Sequence, residues 1–369
     1  MTKPAIIKLT GSLVLSFFLL TACGGQVARE SIKLGAIFAL TSSGAFWGES
    51  ERNAAMLAVA EINAAGGVNG RPVELLIEDN ATDLKKTATA AQKLINIDKV
   101  QAVTGPQWVE FSVVAAPIFQ ANQVVMITPS GGSPDISRMG DYIFTTWPSS
   151  RFAVRHLVDY AVRQEDTKFA IIQAENVFTA AYAQGFELAL ADIGLKLTNN
   201  YKVRPEERDF RTIITKIKAQ KEKNVFVALL EGQQAPFFRQ AREMGLSSAL
   251  YGTLAIESDE EIVRDPQVAE GVIYNQLARY GTDEFLAKYQ QQYTDSPVPG
   301  AASSYDNVYL LANAMKDCGL AAAEIQRCLM QVKAYQGASG EITFDGNGDV
   351  GPKPYVIKTV RNGKFAVIK

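Results

Sequence analysis

The stretch Glu61-Ile62-Asn63-Ala64-Ala65-Gly66-Gly67-Val68-Asn69-Gly70-Arg71-Pro72 followed by Val73-Glu74-Leu75-Leu76-Ile77-Glu78 reads as a helix end, a turn and a strand. Upstream, Ala55, Val59 and Ile62 recur at helical spacing over 49–65, and Gly66-Gly67 stops that helix. A glycine loop that cradles phosphate follows a strand and opens a helix; this one closes a helix and is a turn. Before the helix stands the β-rich apolar run Ile32-Lys33-Leu34-Gly35-Ala36-Ile37-Phe38. The first unit is therefore strand, helix, strand.

Working outward, the pattern predicts a helix over 83–98, a strand over 100–104, a helix over 109–120 and a strand over 124–128. Strands that alternate with helices imply a parallel sheet. After Trp147-Pro148 the alternation restarts: a helix from 151, a strand over 169–172, a helix over 180–193 and a strand over 196–201. A helix over 210–221 follows, with Phe210, Ile213, Ile214 and Ile217 as its apolar stripe, then a strand over 225–230, a helix over 235–244, and strands over 250–253 and 272–275. The expected fold is α/β, two doubly wound lobes. Helices over 283–293, 305–316 and 324–332 and strands over 341–344 and 355–360 exceed the need of the second lobe, so part of this segment is expected to return to the first.

The 369 residues, 47% hydrophobic and 21% charged, suffice for about two domains with substantial cores. With a formal net charge of −2 and no Lys/Arg cluster, the chain lacks the concentrated basic face that nucleic-acid binding needs.

Lys3 and Lys8 precede an apolar run over 13–20, as in an export signal, and the run is shorter than the roughly 20 residues a membrane span takes. It ends in Leu20-Thr21-Ala22-Cys23-Gly24, which resembles the lipobox of bacterial lipoproteins. The resemblance implies cleavage after residue 22, lipidation of Cys23 and a linker over 23–31. An exported, periplasmic or cell-surface lipoprotein is expected. In that oxidising compartment Cys318 and Cys328 read as a possible disulfide closing one local loop. Zinc is not expected, because two sulfurs need further ligands and the single histidine, His156, is remote in sequence.

Asp345-Gly346-Asn347-Gly348-Asp349 begins like a calcium loop, but Val350 and Val356 occupy the required glycine and glutamate positions, so a turn is expected. There is no nucleophile elbow, no base beside a serine or cysteine, and Asp259-Glu260-Glu261 reads as a solvated helix start. Neither an enzyme nor a cofactor is expected.

Doubly wound sheets bind ligands in the loops beyond the carboxyl ends of their strands. There the first unit carries Ser42-Ser43 with Phe46-Trp47, Gln107-Trp108 and Ser130-Gly131-Gly132-Ser133, and the second carries Phe178 after Glu175-Asn176, and Glu231 with Gln233.

With these residues in place, the mature chain resembles the type I periplasmic binding proteins of ABC importers, in the leucine/isoleucine/valine-binding branch. The pieces are Ile32-Lys33-Leu34-Gly35, Gly48-Glu49, the 61–72 stretch, Asp79-Asn80, Phe210 within Asp-Phe-x-x-x-Ile, Arg239-Gln240-Ala241-Arg242 and Gly340-Glu341-Ile342-Thr343-Phe344-Asp345. The resemblance implies two lobes joined by three crossing segments, with lobe one from 32–147 and 276–344 and lobe two from 148–275 and 345–369. It also implies a small ligand, an amino acid or a relative, held between the lobes by hinge closure, and a membrane permease as partner to a monomer.

In the amino-acid binders of this family, loop hydroxyls and helix amides hold the α-carboxylate while an acid from lobe two pairs with the ammonium. Ser130 sits in the carboxylate loop, but Gly132 and Val109 stand where hydroxyls are common and Leu254 stands where the acid is usual. Glu231 or Glu257 is a candidate substitute. Trp47 matches the aromatic wall and Phe178 a lobe-two aromatic cap, while Gln107, Trp108 and Glu231 are candidates by loop position. The alternatives are an amide, urea or aromatic carboxylate as ligand, or a sensing role in place of uptake.

Overall fold

The computed structural model describes residues 1–2, 30–163 and 167–368. The expected signal segment and the lipidation site Cys23 lie outside the described residues.

The first sheet has five parallel strands, β1 (Ile32–Phe38), β2 (Val73–Asp79), β3 (Ala102–Thr104), β4 (Val125–Thr128) and β5 (Ile143–Thr145), in the order β2-β1-β3-β4-β5. Helices α1 (Ala45–Ala64), α2 (Leu84–Lys93), α3 (Val109–Ala121) and the short α4 (Pro134–Ser137) connect them. Both faces are covered, so β1, β3, β4 and β5 read as near-continuous apolar runs.

The second sheet contains β6 (Phe169–Ala174), β7 (Leu197–Val203), β8 (Asn224–Ala228), β9 (Ala249–Gly252) and β10 (Ile273–Leu277), all parallel. The antiparallel β13 (Tyr355–Arg361) and β14 (Lys364–Val367) extend it to the order β14-β13-β10-β9-β8-β6-β7. Its helices are α5 (Ser150–Val162), α6 (Val177–Ala191), α7 (Arg211–Ala219), α8 (Gln234–Glu243) and α9 (Glu260–Arg264). In α7, Phe210 at the cap, Ile214 and Ile217 are buried, as the stripe requires.

After β10 the chain returns to the first sheet. Helices α10 (Asp283–Gln292), α11 (Pro299–Cys318) and α12 (Ala322–Met330) and the hairpin β11 (Tyr335–Gly337) and β12 (Gly340–Ile342) join its core through Phe285, Tyr289, Val308, Leu311, Ile325 and Ile342. The α11 helix packs along α1, which explains the apolar and small residues that both present there.

The passages between sheets differ in detail from the expected boundaries. Strand β10 continues to Leu277, so the chain leaves the second sheet beyond the 275/276 division. The turn after Phe344 stays with the first sheet, because the Thr145 amide donates to Gly348 O at 3.0 Å and the Val350 amide donates to Thr145 O at 3.1 Å. The return to the second sheet falls at 351–354, not at 345. That turn is closed by Asp345 Oδ1, which accepts the amides of Asn347 and Asp349. Sequence reading missed β5, β11 and β14, each of four residues or fewer and too short to show a period. Cys318 at the end of α11 and Cys328 in α12 are bridged, their Cα atoms 6.2 Å apart.

Candidate ligand site

In each sheet the strand order reverses beside one strand: between β1 and β3 in the first, between β6 and β8 in the second. The loops beyond these four strand ends, together with those after β4, β5 and β9, line a cavity of about 320 Å³ between the sheets, the size of a small-molecule site.

The first-sheet wall is built around α1 and α3. The Ala39 amide donates to Gln107 Oε1 at 2.8 Å and Gln107 Nε2 donates to Gly44 O, which ties the loop after β1 to the loop after β3. At Gly48 a Cβ would stand 1.9 Å from Ala39 O, so only glycine lets α1 lie this close to that loop. The result is that Trp47, 7% exposed, forms one side of the cavity, with its Nε1 buried and without a hydrogen-bond partner. Its ring meets Trp108 edge-on at 6.3 Å, and Trp108 stacks on Phe111 at 6.0 Å.

Trp108 has φ 61°, a strained value for a residue with a Cβ, and it directly precedes α3. Its amide donates to Ser130 Oγ at 3.3 Å. No N-cap side chain closes α3, whose dipole favours an anion at this end, and the Glu110 carboxylate already accepts its own amide there. By contrast, Asn176 Oδ1 accepts the Phe178 amide at 2.7 Å and caps α6.

From the second sheet, Phe178, its neighbour Tyr182 at 4.9 Å between rings, Leu230, Glu231, Leu254 and Ser258 complete the wall. Glu231 stands exposed in the cleft with protein on most sides. That crowding raises its carboxyl to about 7, partly offset by the Ser258 hydroxyl that donates to it at 2.7 Å. The water that reaches it reduces this shift. Glu110, in the first turn of α3, is likewise raised by desolvation and repels Glu231. Among the described residues no lysine or arginine lines the cavity. Among the described residues no group of three or more His, Cys, Asp or Glu is arranged to hold a metal, and no helix is long and apolar enough to cross a membrane.

The family model described as "Periplasmic binding protein" matches residues 31–364. The chain is a periplasmic binding protein. A relative named leucine-, isoleucine-, valine-, threonine- and alanine-binding protein from Pseudomonas aeruginosa is 25% identical over 335 residues, covering 88% of each chain. The structure of the branched-chain amino acid transporter substrate-binding protein LivJ from Streptococcus pneumoniae, solved with isoleucine, is 25% identical, with a TM-score of 0.79 over 92% of this chain and 99% of that one. A solute-binding protein from Rhodopseudomonas palustris, solved with 3,4-dihydroxybenzoic acid, is 23% identical, with a TM-score of 0.74 over 92% and 96% of the two chains. These relatives are binding proteins, and so is this one.

In this binding protein, Trp47, Trp108, Ser130, Phe178 and Glu231 all line the cavity. Gln107 does not: it is fully buried, and both ends of its amide are engaged by backbone. Gln233 is also structural, accepting the Leu230 amide and donating to Arg204 O. Of the two candidate acids, Glu257 is committed elsewhere, accepting the hydroxyls of Tyr274 at 2.7 Å and Tyr280 at 2.9 Å and pairing with Lys358. Leu254 and Val109 present apolar surface where the family resemblance led one to expect an acid and a hydroxyl. Sequence reading missed Glu110, which looked like an ordinary helix-start acid; its position on the cavity side of α3 follows from the loop geometry before it.

Proposed function

We propose that this chain is the extracytoplasmic substrate-binding subunit of an ABC importer, lipid-anchored at Cys23, and that it takes an α-amino acid with a large apolar or aromatic side chain. The observation that carries the ligand class is a cavity with Glu231 on the second-sheet wall, Glu110 and the α3 N-terminus on the first, and no lysine or arginine among the described residues. An ammonium suits Glu231, a carboxylate suits Ser130 and the α3 amides, and the side chain suits Trp47, Trp108, Trp147 and Phe178. Relatives named for branched-chain amino acids support the same reading.

In this reading the lobes comprise 32–147 with 276–344 and 148–275 with 345–369, apart from the short shifts at their junctions. The ligand bridges them and favours the closed form, which a membrane permease recognises on a monomeric subunit at the periplasmic or cell surface. The Cys318–Cys328 bridge fits an oxidising compartment.

A second reading, an aromatic carboxylate, is favoured by Leu254 in place of the usual acid and by the three tryptophans. In that case Glu231 is protonated and donates. A thermal-shift screen of the soluble chain against α-amino acids, amides, ureas and aromatic acids tests both, since a ligand of the folded form raises the melting temperature by mass action. Shifts confined to α-amino acids support the first reading; shifts confined to aromatic acids overturn it.

A further inference from the structure

Behind the cavity wall lies an acid that ligand binding, as read above, leaves unused. Glu51 sits one helical turn beyond Trp47 on α1 and is fully buried; its carboxylate oxygens make no well-formed hydrogen bond, while the Ser130 hydroxyl lies near enough to act on it. A Cβ added at Gly300, in the first turn of α11, would meet Glu51 Oε1 at 2.2 Å and Ser130 Cβ at 3.2 Å, so the three groups converge on one point. The glycine is what lets the carboxyl approach. One turn further along α11, the buried Ser304 hydroxyl also lacks a partner.

The groups that face Glu51 are the Ser130 hydroxyl from the loop after β4 and the α11 backbone at Gly300. Burial pushes its carboxyl up to about 8, the Ser130 hydroxyl offsets part of this, and no charged side chain contributes. Ser130 Oγ already accepts the Trp108 amide, so its own proton can turn toward the cavity or toward Glu51.

We propose that Glu51 is a positioning residue for the ligand carboxylate: as the neutral acid it donates to Ser130 Oγ and leaves the Ser130 proton for the ligand, and as the carboxylate it takes that proton. In the ionised state it also sets a negative charge directly behind the carboxylate subsite, in a low-dielectric surrounding where repulsion is strong. Binding of a carboxylate is therefore coupled to a proton on Glu51. The inference rests on the amino-acid reading only in taking Ser130 and the α3 amides as the carboxylate subsite, and it holds equally for an aromatic acid.

The test is calorimetry with L-leucine, L-phenylalanine and 3-phenylpropanoate from pH 6 to 9, on the wild type, Glu51→Gln and Glu51→Leu, with circular dichroism to verify folding. The wild type is expected to lose about fivefold in affinity from pH 8 to pH 9, as Glu51 goes from half ionised to almost fully ionised. Glu51→Leu, which has no donor, binds more weakly than wild type at neutral pH and lacks the alkaline fall. Glu51→Gln, whose amide donates at every pH, rescues the neutral-pH affinity that Glu51→Leu loses and is free of that alkaline fall. Titration of the ligand amine and of Glu231 is common to wild type and Glu51→Gln and cancels between them. Identical alkaline limbs in wild type and Glu51→Gln overturn the inference while leaving the ligand class standing. Binding of 3-phenylpropanoate alone, with the alkaline limb still dependent on Glu51, overturns the amino-acid reading and supports the inference. Absence of binding by all three probes overturns both.

Discussion

Gly132 lies flat against the indole of Trp147: a Cβ at position 132 would stand 2.8 Å from Trp147 Cδ1 and 3.2 Å from Nε1. The missing hydroxyl at 132 and the tryptophan that closes the cavity are one structural fact. Trp147, 5% exposed, occupies the space into which a side chain at 132 would project.

Restoring the hydroxyl therefore carries a steric cost. Gly132→Ser is expected to lower stability by about 1–3 kcal/mol through overpacking. In a double-mutant cycle with Trp147→Ala the two changes are expected to couple, the second relieving the first. Urea unfolding of the two single variants and the double variant measures this; additive costs would show that the two residues do not compete for space.

Replacing Glu231 separates the ligand's amine from the rest of its surface. Glu231→Gln is expected to weaken L-phenylalanine about tenfold or more and to leave 3-phenylpropanoate nearly unchanged. Because crowding holds the carboxyl above its ordinary range without ligand, an ammonium beside it drives off its proton as pH rises toward neutrality. Affinity for the amino acid should rise over that interval. Calorimetry in buffers of different ionisation enthalpy should register the released proton, and its absence would remove Glu231 from the ammonium site.

Much of the cavity wall was legible in the sequence. The loops that build the cavity follow from the alternation of strands and helices, because a doubly wound sheet exposes its switch point at a fixed edge; Trp47, Ser130, Phe178 and Glu231 were found by that rule. What the rule does not contain is side-chain direction. Gln107 and Trp108 are adjacent, yet the backbone around Trp108 turns one into the cavity and the other onto Ala39 and Gly44. Glu51 and Glu110 were equally opaque, since both look like solvated helix acids and only tertiary packing removes their water.

The buried Glu51 also makes stability depend on pH in a stated direction. Its ordinary value is 4.5 and its folded value about 8, so the folded chain holds this proton more tightly than the unfolded chain between those limits. Stability is expected to fall as pH rises from 4.5 to 8, by several kcal/mol at most, and to stay low above that. Glu51→Gln has no such proton, and its melting temperature relative to wild type is expected to be higher at pH 9 than at pH 5. A constant difference across pH would contradict the buried, unpaired state of this acid.

The Cys318–Cys328 bridge closes a short loop at the far end of α11 from Gly300, about 27 Å away along a helix of this length. Removing it with a Cys318→Ser, Cys328→Ser double change is expected to cost about 2–3 kcal/mol by loop entropy. Ligand affinity should be unaffected. Thermal unfolding under oxidising conditions tests the first expectation and calorimetry the second.

The most direct single measurement is the affinity of L-phenylalanine against 3-phenylpropanoate for the unaltered protein at pH 8, by calorimetry. The two ligands share ring, chain and carboxylate and differ only in the amine that Glu231 would receive. The expected result is clear binding of the amino acid and at least tenfold weaker binding of the amine-free acid. Equal or tighter binding of 3-phenylpropanoate would contradict the amino-acid assignment and point to an aromatic carboxylate held by Ser130 and the α3 amides.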